Sequence, residues 1–131
     1  MLKLLAALSL LVVTTVLAYS DYQKRIPNGN VVPSPCGDGT WHGVGHWLPG
    51  GTGDLNPFGR AFKANGYTWN FKLCREDSDG DGRRNGEELG DPGCDWLFEY
   101  PVQLDPPQGH PGICEPVDSP GCQKLQPNFT C

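Results

Sequence analysis

The chain has 131 residues, among them 18 glycines, 13 prolines, 6 cysteines and 4 tryptophans, and a formal net charge of −5. An acidic chain of this size without a basic patch gives no reason to expect nucleic acid, and its length fits one small domain. Glycine and proline at this density would point to disorder in a cysteine-free chain, but an even cysteine count and several tryptophans point to a disulfide-stapled fold.

Residues 1–18, MLKLLAALSLLVVTTVLA, combine an early Lys3, an apolar run and small residues suited to cleavage after Ala18, the pattern of a secretory signal peptide. No second apolar stretch approaches the roughly 20 residues of a membrane span, so the mature chain is expected to be soluble and extracellular. Removing that segment leaves 113 residues and, with Lys3 gone, a net charge of −6. The next stretch, up to Cys36, reads as extended and turn-rich, with a turn at Pro27-Asn28-Gly29. Lys24-Arg25 has the form of a dibasic processing site, although exposed basic pairs are most often solvated surface.

From Trp41 to Gly59 the chain reads WHGVGHWLPGGTGDLNPFG. His42 and His46 are four apart, the spacing that on a helix aligns two imidazoles for a metal, with His110 as a third candidate. Gly43 and Gly45 argue against a helix there, and packing of glycines and aromatics around a polar imidazole is the plainer reading. Gly50, Gly51 and Gly53 lack the strand, lysine and helix of a phosphate loop. Asn56 reads as a helix N-cap with Pro57 in the first helical position and Gly66 at the end. Phe58 and Phe62 then share one face. A second short helix is expected from Thr68 as cap through Trp69, Phe71 and Leu73 to Glu76. The aromatics of these segments are expected in the core, because so short a chain has few other large apolar groups to bury.

The stretch DSDGDGRRNGEE places Asp77, Asp79 and Asp81 at the first, third and fifth positions of an EF-hand calcium loop. Gly82 falls at the sharp turn, Arg83 where only a carbonyl is used, and Glu88 at the closing bidentate position. The spacing has a physical reason: a hard dication takes six to eight oxygens at about 2.3 to 2.6 Å, so alternate residues point carboxylates inward. Asn85, at position nine, is a candidate to hold a ligand water. Acids this close repel one another unless a cation sits among them. Arg84 stands where paired EF-hands carry a β-branched apolar residue, and Gly90, Asp91 and Pro92 cut the exit helix after one turn. The loop therefore reads as a single structural Ca2+ site and not a sensor.

From Cys94 to Cys131 the chain has almost no periodicity and is expected to be irregular, pinned by Cys114, Cys122 and Cys131. Asn128-Phe129-Thr130 is an N-glycosylation sequon. Among the connectivities open to six cysteines, sequence neighbourhood favours Cys36 with Cys74, Cys94 with Cys114, and Cys122 with Cys131.

Taken together, RIPNG, the proline-flanked Cys36, WHGVGH, the GG followed by NPFG, GYTW, and LC with DSDGDGRRNGEELGDPGC resemble the temptin family, secreted proteins of marine molluscs that form part of water-borne pheromone complexes. The match runs from Tyr19 to Trp96 in closely spaced motifs and more loosely to Cys114. The resemblance implies an extracellular module that binds other secreted proteins, including small peptide pheromones, without a catalytic role. It also supports calcium at Asp77, Asp79, Asp81 and Glu88, and implies two disulfides among Cys36, Cys74, Cys94 and Cys114. Residues 97–131 depart from it as a Pro-rich, Cys-containing C-terminal extension to the temptin-like unit 19–96. Some bacterial secreted proteins carry a haem-type CxxCH before a comparable series. Here the corresponding His42-to-His46 stretch lacks both cysteines, which excludes covalent haem and leaves His46 as a metal candidate.

The expected fold is thus a small disulfide-rich secreted domain, mostly irregular, with two or three short helices around a single EF-hand-like calcium loop. The expected function is that of a calcium-stabilised component of a water-borne pheromone complex, modulating mate attraction by binding other secreted proteins or peptide pheromones, with no nucleic-acid or membrane partner. The alternative is a calcium-binding structural protein of an extracellular or shell matrix. Against it, the acids are concentrated in one site and not repeated along the chain. An enzyme using His42 and His46 is not expected, because no nucleophile, base and orienting partner can be assembled around them.

Overall fold

The computed structural model describes residues 21–131; the signal peptide expected at 1–18 lies outside them. Four short helices follow in order: α1 (Pro57–Ala64), α2 (Phe71–Arg75), α3 (Asn85–Leu89) and α4 (Pro120–Leu125). Residues 21–24 are helical as well. Among the described residues no strand forms, and pairing is limited to antiparallel bridges between Pro33 and Thr40 and between His46 and Leu55. No helix there is long and apolar enough to cross a membrane. With so little regular backbone pairing, side-chain hydrogen bonds and disulfides must position the loops.

Helix α1 begins as its residues dictate. Asn56 caps it by accepting from the Gly59 N–H at 2.9 Å, and Pro57 fits the first turn, where its missing N–H costs nothing. The same buried Asn56 donates to the carbonyls of Val44 at 2.8 Å and His46 at 3.0 Å, tying α1 to the glycine-rich segment. Gly45 and Gly59 pass so closely that a Cβ on Gly59 would collide with the Gly45 carbonyl. Gly43, Gly45 and Gly59 thus serve close backbone packing.

Helix α2 starts later than expected. The cap is Asn70, which accepts from the Leu73 N–H at 3.0 Å, and not Thr68. Asparagine is the stronger cap, and leaving Trp69 ahead of the helix lets its indole N–H donate to the Asp91 carboxylate at 3.0 Å. Phe71 is 61% exposed, with the Arg75 guanidinium 5.3 Å from its ring centre. The other expected core aromatics are buried: Phe58, Phe62 and Trp69 join Val32, Leu73 and Leu89 in one cluster. Each such side chain contributes about 1.5–3 kcal/mol by leaving water.

The disulfides are Cys36–Cys131, Cys74–Cys94 and Cys114–Cys122. None of the three pairs expected from sequence neighbourhood forms, and the first four cysteines hold one bridge, not the two that the family resemblance implied. The reason lies in how distant segments meet. Cys74, on α2, is fully buried against α3, where Gly86 makes room for its sulfur, and Cys94 arrives there after the Asp91 turn. That turn is built by Asp91, whose carboxylate accepts from the Asp95 and Trp96 N–H groups at 3.0 and 3.2 Å as well as from Trp69.

The tail is also more regular than expected. Ser119 caps α4 by accepting from the Cys122 N–H at 3.2 Å, and Pro120 opens the helix. Gln126, just past its end, both donates to and accepts from the Cys114 backbone, at 3.0 and 2.9 Å, which folds the helix back beside its own disulfide. Residues 97–131 lie against the rest of the molecule. Asp105 N–H donates to the Gly90 carbonyl at 2.9 Å, and His110, Pro111 and Ile113 are fully buried.

Candidate functional site: the acidic loop

Between α2 and α3 the chain turns tightly over Asp77–Arg84, with the Asn85 N–H donating to the Glu76 carbonyl at 2.7 Å across the base. Asp77 accepts from the Gly80 and Gly82 N–H groups at 3.0 and 2.8 Å; Asp79 accepts from Asp81 N–H, and Asp81 from Arg83 N–H. Gly82, at φ 92°, adopts the left-handed conformation that its place at the sharp turn demands. Asp77, Asp79 and Asp81 each present a carboxylate oxygen, and the three lie within 4.8 Å of one another.

Glu88 faces this triad from α3. It is 1% exposed, and neither of its carboxylate oxygens has a hydrogen-bond partner; one oxygen of buried Asp79 is likewise unpartnered. Burial, then the charges of Asp79 and Asp81, push the Glu88 carboxyl up to about 11, and burial followed by Asp81 pushes Asp79 up to about 9. Unpaired buried carboxylates cost several kcal/mol each unless a cation compensates them. Orphaned buried oxygens grouped with an exposed acid are the donor set of a hard cation, so the residues present fit one. Asn85, expected to hold a ligand water, does not face the triad. It is fully buried, donating to the Leu73 carbonyl and to Ser78 Oγ, both at 2.8 Å, and accepting from Ser78 N–H.

The histidines are arranged differently from the expected metal set. His42 and His46 border a cleft of about 280 Å³, closed by Tyr22, Ile26, Phe62 and Tyr67. His46 Nδ1 donates to the Gly53 carbonyl at 3.0 Å. His110 is packed edge-on against Trp41 at 5.5 Å between ring centres. Among the described residues the three imidazoles are not brought together as a ligand group, whereas the aspartates are close enough to one another to hold an ion.

His110 gives a pH signature. Its Nδ1 accepts from Gly112 N–H at 3.0 Å, and burial pushes its pKa from 6.5 down to about 3. Below the unfolded value the unfolded chain takes up a proton that the folded ring refuses. Stability is therefore expected to fall as the pH drops from about 6.5 towards 3, on the order of 1 kcal/mol per unit. Thermal melts at stepped pH check this, and His110→Asn, which keeps an acceptor near Nδ1, should flatten the slope.

The architecture of the described residues is that of a small protein stapled by three disulfides, with few short helices and an acidic cluster of one exposed, one half-buried and one buried aspartate. Comparison with known proteins gives the family. The temptin C-terminal family model matches residues 16–113, and the chain belongs to the temptin family. It is 52% identical to Temptin of Aplysia californica over 99 residues, covering 75% of this chain and 79% of that protein. No solved structure matches. The segment bearing Cys122 and Cys131 lies beyond the matched residues.

Proposed function

We propose that the protein is a secreted component of a water-borne pheromone complex, that it acts by docking to other secreted proteins or peptides, and that one calcium ion held by the acidic loop keeps it folded. Family membership, at 52% identity to a temptin, carries the signalling part of this reading. The calcium part rests on Glu88, a buried carboxylate with both oxygens unpartnered that faces three clustered aspartates. Asp77, Asp79, Asp81, Glu88 and the Arg83 carbonyl would hold the ion, which supplies charge compensation and no chemistry. Docking is supported by an apolar run left in solvent, with Leu97, Phe98, Tyr100 and Val102 all exposed. Asn128 and Thr130 of the sequon are exposed while Phe129 between them packs on Trp41 and Trp47, an arrangement that suits a glycan on Asn128.

Affinity capture from the native secretion tests the docking role. The immobilised, calcium-loaded protein should retain discrete secreted proteins or peptides and release them under mild elution. Retention of insoluble matrix or mineral alone would favour the structural-matrix alternative and remove the signalling one.

A further inference from the structure

Glu115 is remote from the acidic loop in sequence and beside it in the fold. The segment leading to it is clamped to the loop's exit: Gln108 and Gly109 N–H groups donate to the Glu88 carbonyl at 2.7 and 3.3 Å, and Arg83 donates to the Gln108 carbonyl at 3.2 Å. His110 N–H then donates to Glu115 Oε1 at 2.6 Å, which fixes the carboxylate. Three side chains converge over Gly109, where a Cβ would lie 3.2 Å from Glu115 Oε1, 3.5 Å from Arg83 Nη1 and 3.6 Å from Glu88 Cγ. Glu115 and Asp81 repel one another, as do Glu115 and Glu88. A half-buried carboxylate held this firmly against other acids calls for a compensating cation, and Arg83 compensates it only in part.

The loop itself leaves a place for it. Position nine of an EF-hand loop usually reaches the ion through water. Here that position is Asn85, whose side chain is turned inward and bonded to Leu73 and Ser78. We propose that Glu115 takes over this position, holding the ligand water of the cation from the C-terminal segment and thereby making that segment part of the metal site. The assignment rests on the calcium reading of the loop and adds to it a coupling: calcium draws the 108–115 segment onto α3, and loss of calcium loosens it.

Glu115→Gln tests this in the full secreted, disulfide-intact protein, because glutamine keeps an oxygen to accept from His110 N–H and removes only the charge. Calorimetric titration with calcium chloride should show about tenfold weaker binding or worse, the usual cost of losing an outer ligand-holding group. In chelator the variant should melt no lower than the parent, since it has lost a like charge. Equal affinity in variant and parent would overturn the role of Glu115 while leaving the calcium loop intact. A variant that melts lower in chelator by as much as in calcium would also overturn it, because Glu115 would then be purely structural. A parent that binds no calcium would overturn the loop reading and this assignment together.

Discussion

Glu88→Gln is expected to abolish the calcium-dependent part of the protein's stability and, at neutral pH, to raise the calcium-free part. In the proposed calcium site the glutamate would close the shell with two oxygens; glutamine offers one weak donor oxygen and no charge, so affinity should fall on the order of a hundredfold. At a hundredfold excess over Kd, bound calcium contributes about 2.7 kcal/mol, which in a domain of this size is a melting shift on the order of 10 °C. Without calcium the sign differs. Glu88 then sits away from water and among acids, which push its carboxyl up to about 11, so at neutral pH it must take up a proton on folding, a cost that the uncharged glutamine does not carry. For an acid raised in the folded state, stability is present below its unfolded value, 4.5 here, and is lost as the pH rises towards the folded one. The calcium-free protein should therefore weaken as pH rises through this window, and the stabilisation gained from calcium should grow over the same range. Parallel melts of parent and variant, in calcium and in chelator, check both statements.

Cys36→Ser with Cys131→Ser should cost more than removal of either other bridge. This disulfide spans 95 residues, against 20 for Cys74–Cys94 and 8 for Cys114–Cys122. In the chain-entropy model, constraining an unfolded loop that long contributes about 4.7 kcal/mol, compared with roughly 2.5 kcal/mol for the shortest loop. Total stability of a small domain is about 5–15 kcal/mol, so the double variant stands near the threshold of folding. It also releases the C-terminus, leaving it held by the Phe129 ring against Trp41 and Trp47, 6.2 and 5.7 Å between ring centres, and by the Phe129 N–H on the Gln126 carbonyl. Urea unfolding of this double variant and of Cys114→Ser with Cys122→Ser gives the comparison. Equal losses would mean that loop length does not govern the bridge's contribution.

What could be read in the sequence was local. The α1 boundary followed from Asn56 and Pro57, whose effects reach three residues, and the acidic loop followed from ligand spacing inside one short turn. The disulfides were not legible, because pairing depends on which distant segments pack together: Cys36 meets Cys131 where Phe129 docks on the tryptophans, and nothing near either cysteine encodes that. Asn85 matched its position in the loop pattern but turned inward to satisfy Leu73 and Ser78, a demand of the core that no motif carries. The place of Glu115 beside the loop was not legible either, because it belongs to a segment without periodicity, brought there by backbone bonds to Glu88. Helix α4 did have a signal, Ser119-Pro120 as cap and first position, overshadowed by the prolines around it. Asp91 read only as a helix stop, although its carboxylate organises Trp69, Asp95 and Trp96.

A calorimetric calcium titration of the protein, paired with its melting temperature in calcium and in chelator, decides whether the acidic loop is a calcium staple. One site is expected, in the weak range of about 10⁻⁴ to 10⁻³ M typical of extracellular modules, with a higher melting temperature in calcium. No heat of binding, together with a melting temperature that chelator leaves unmoved, would contradict the calcium staple.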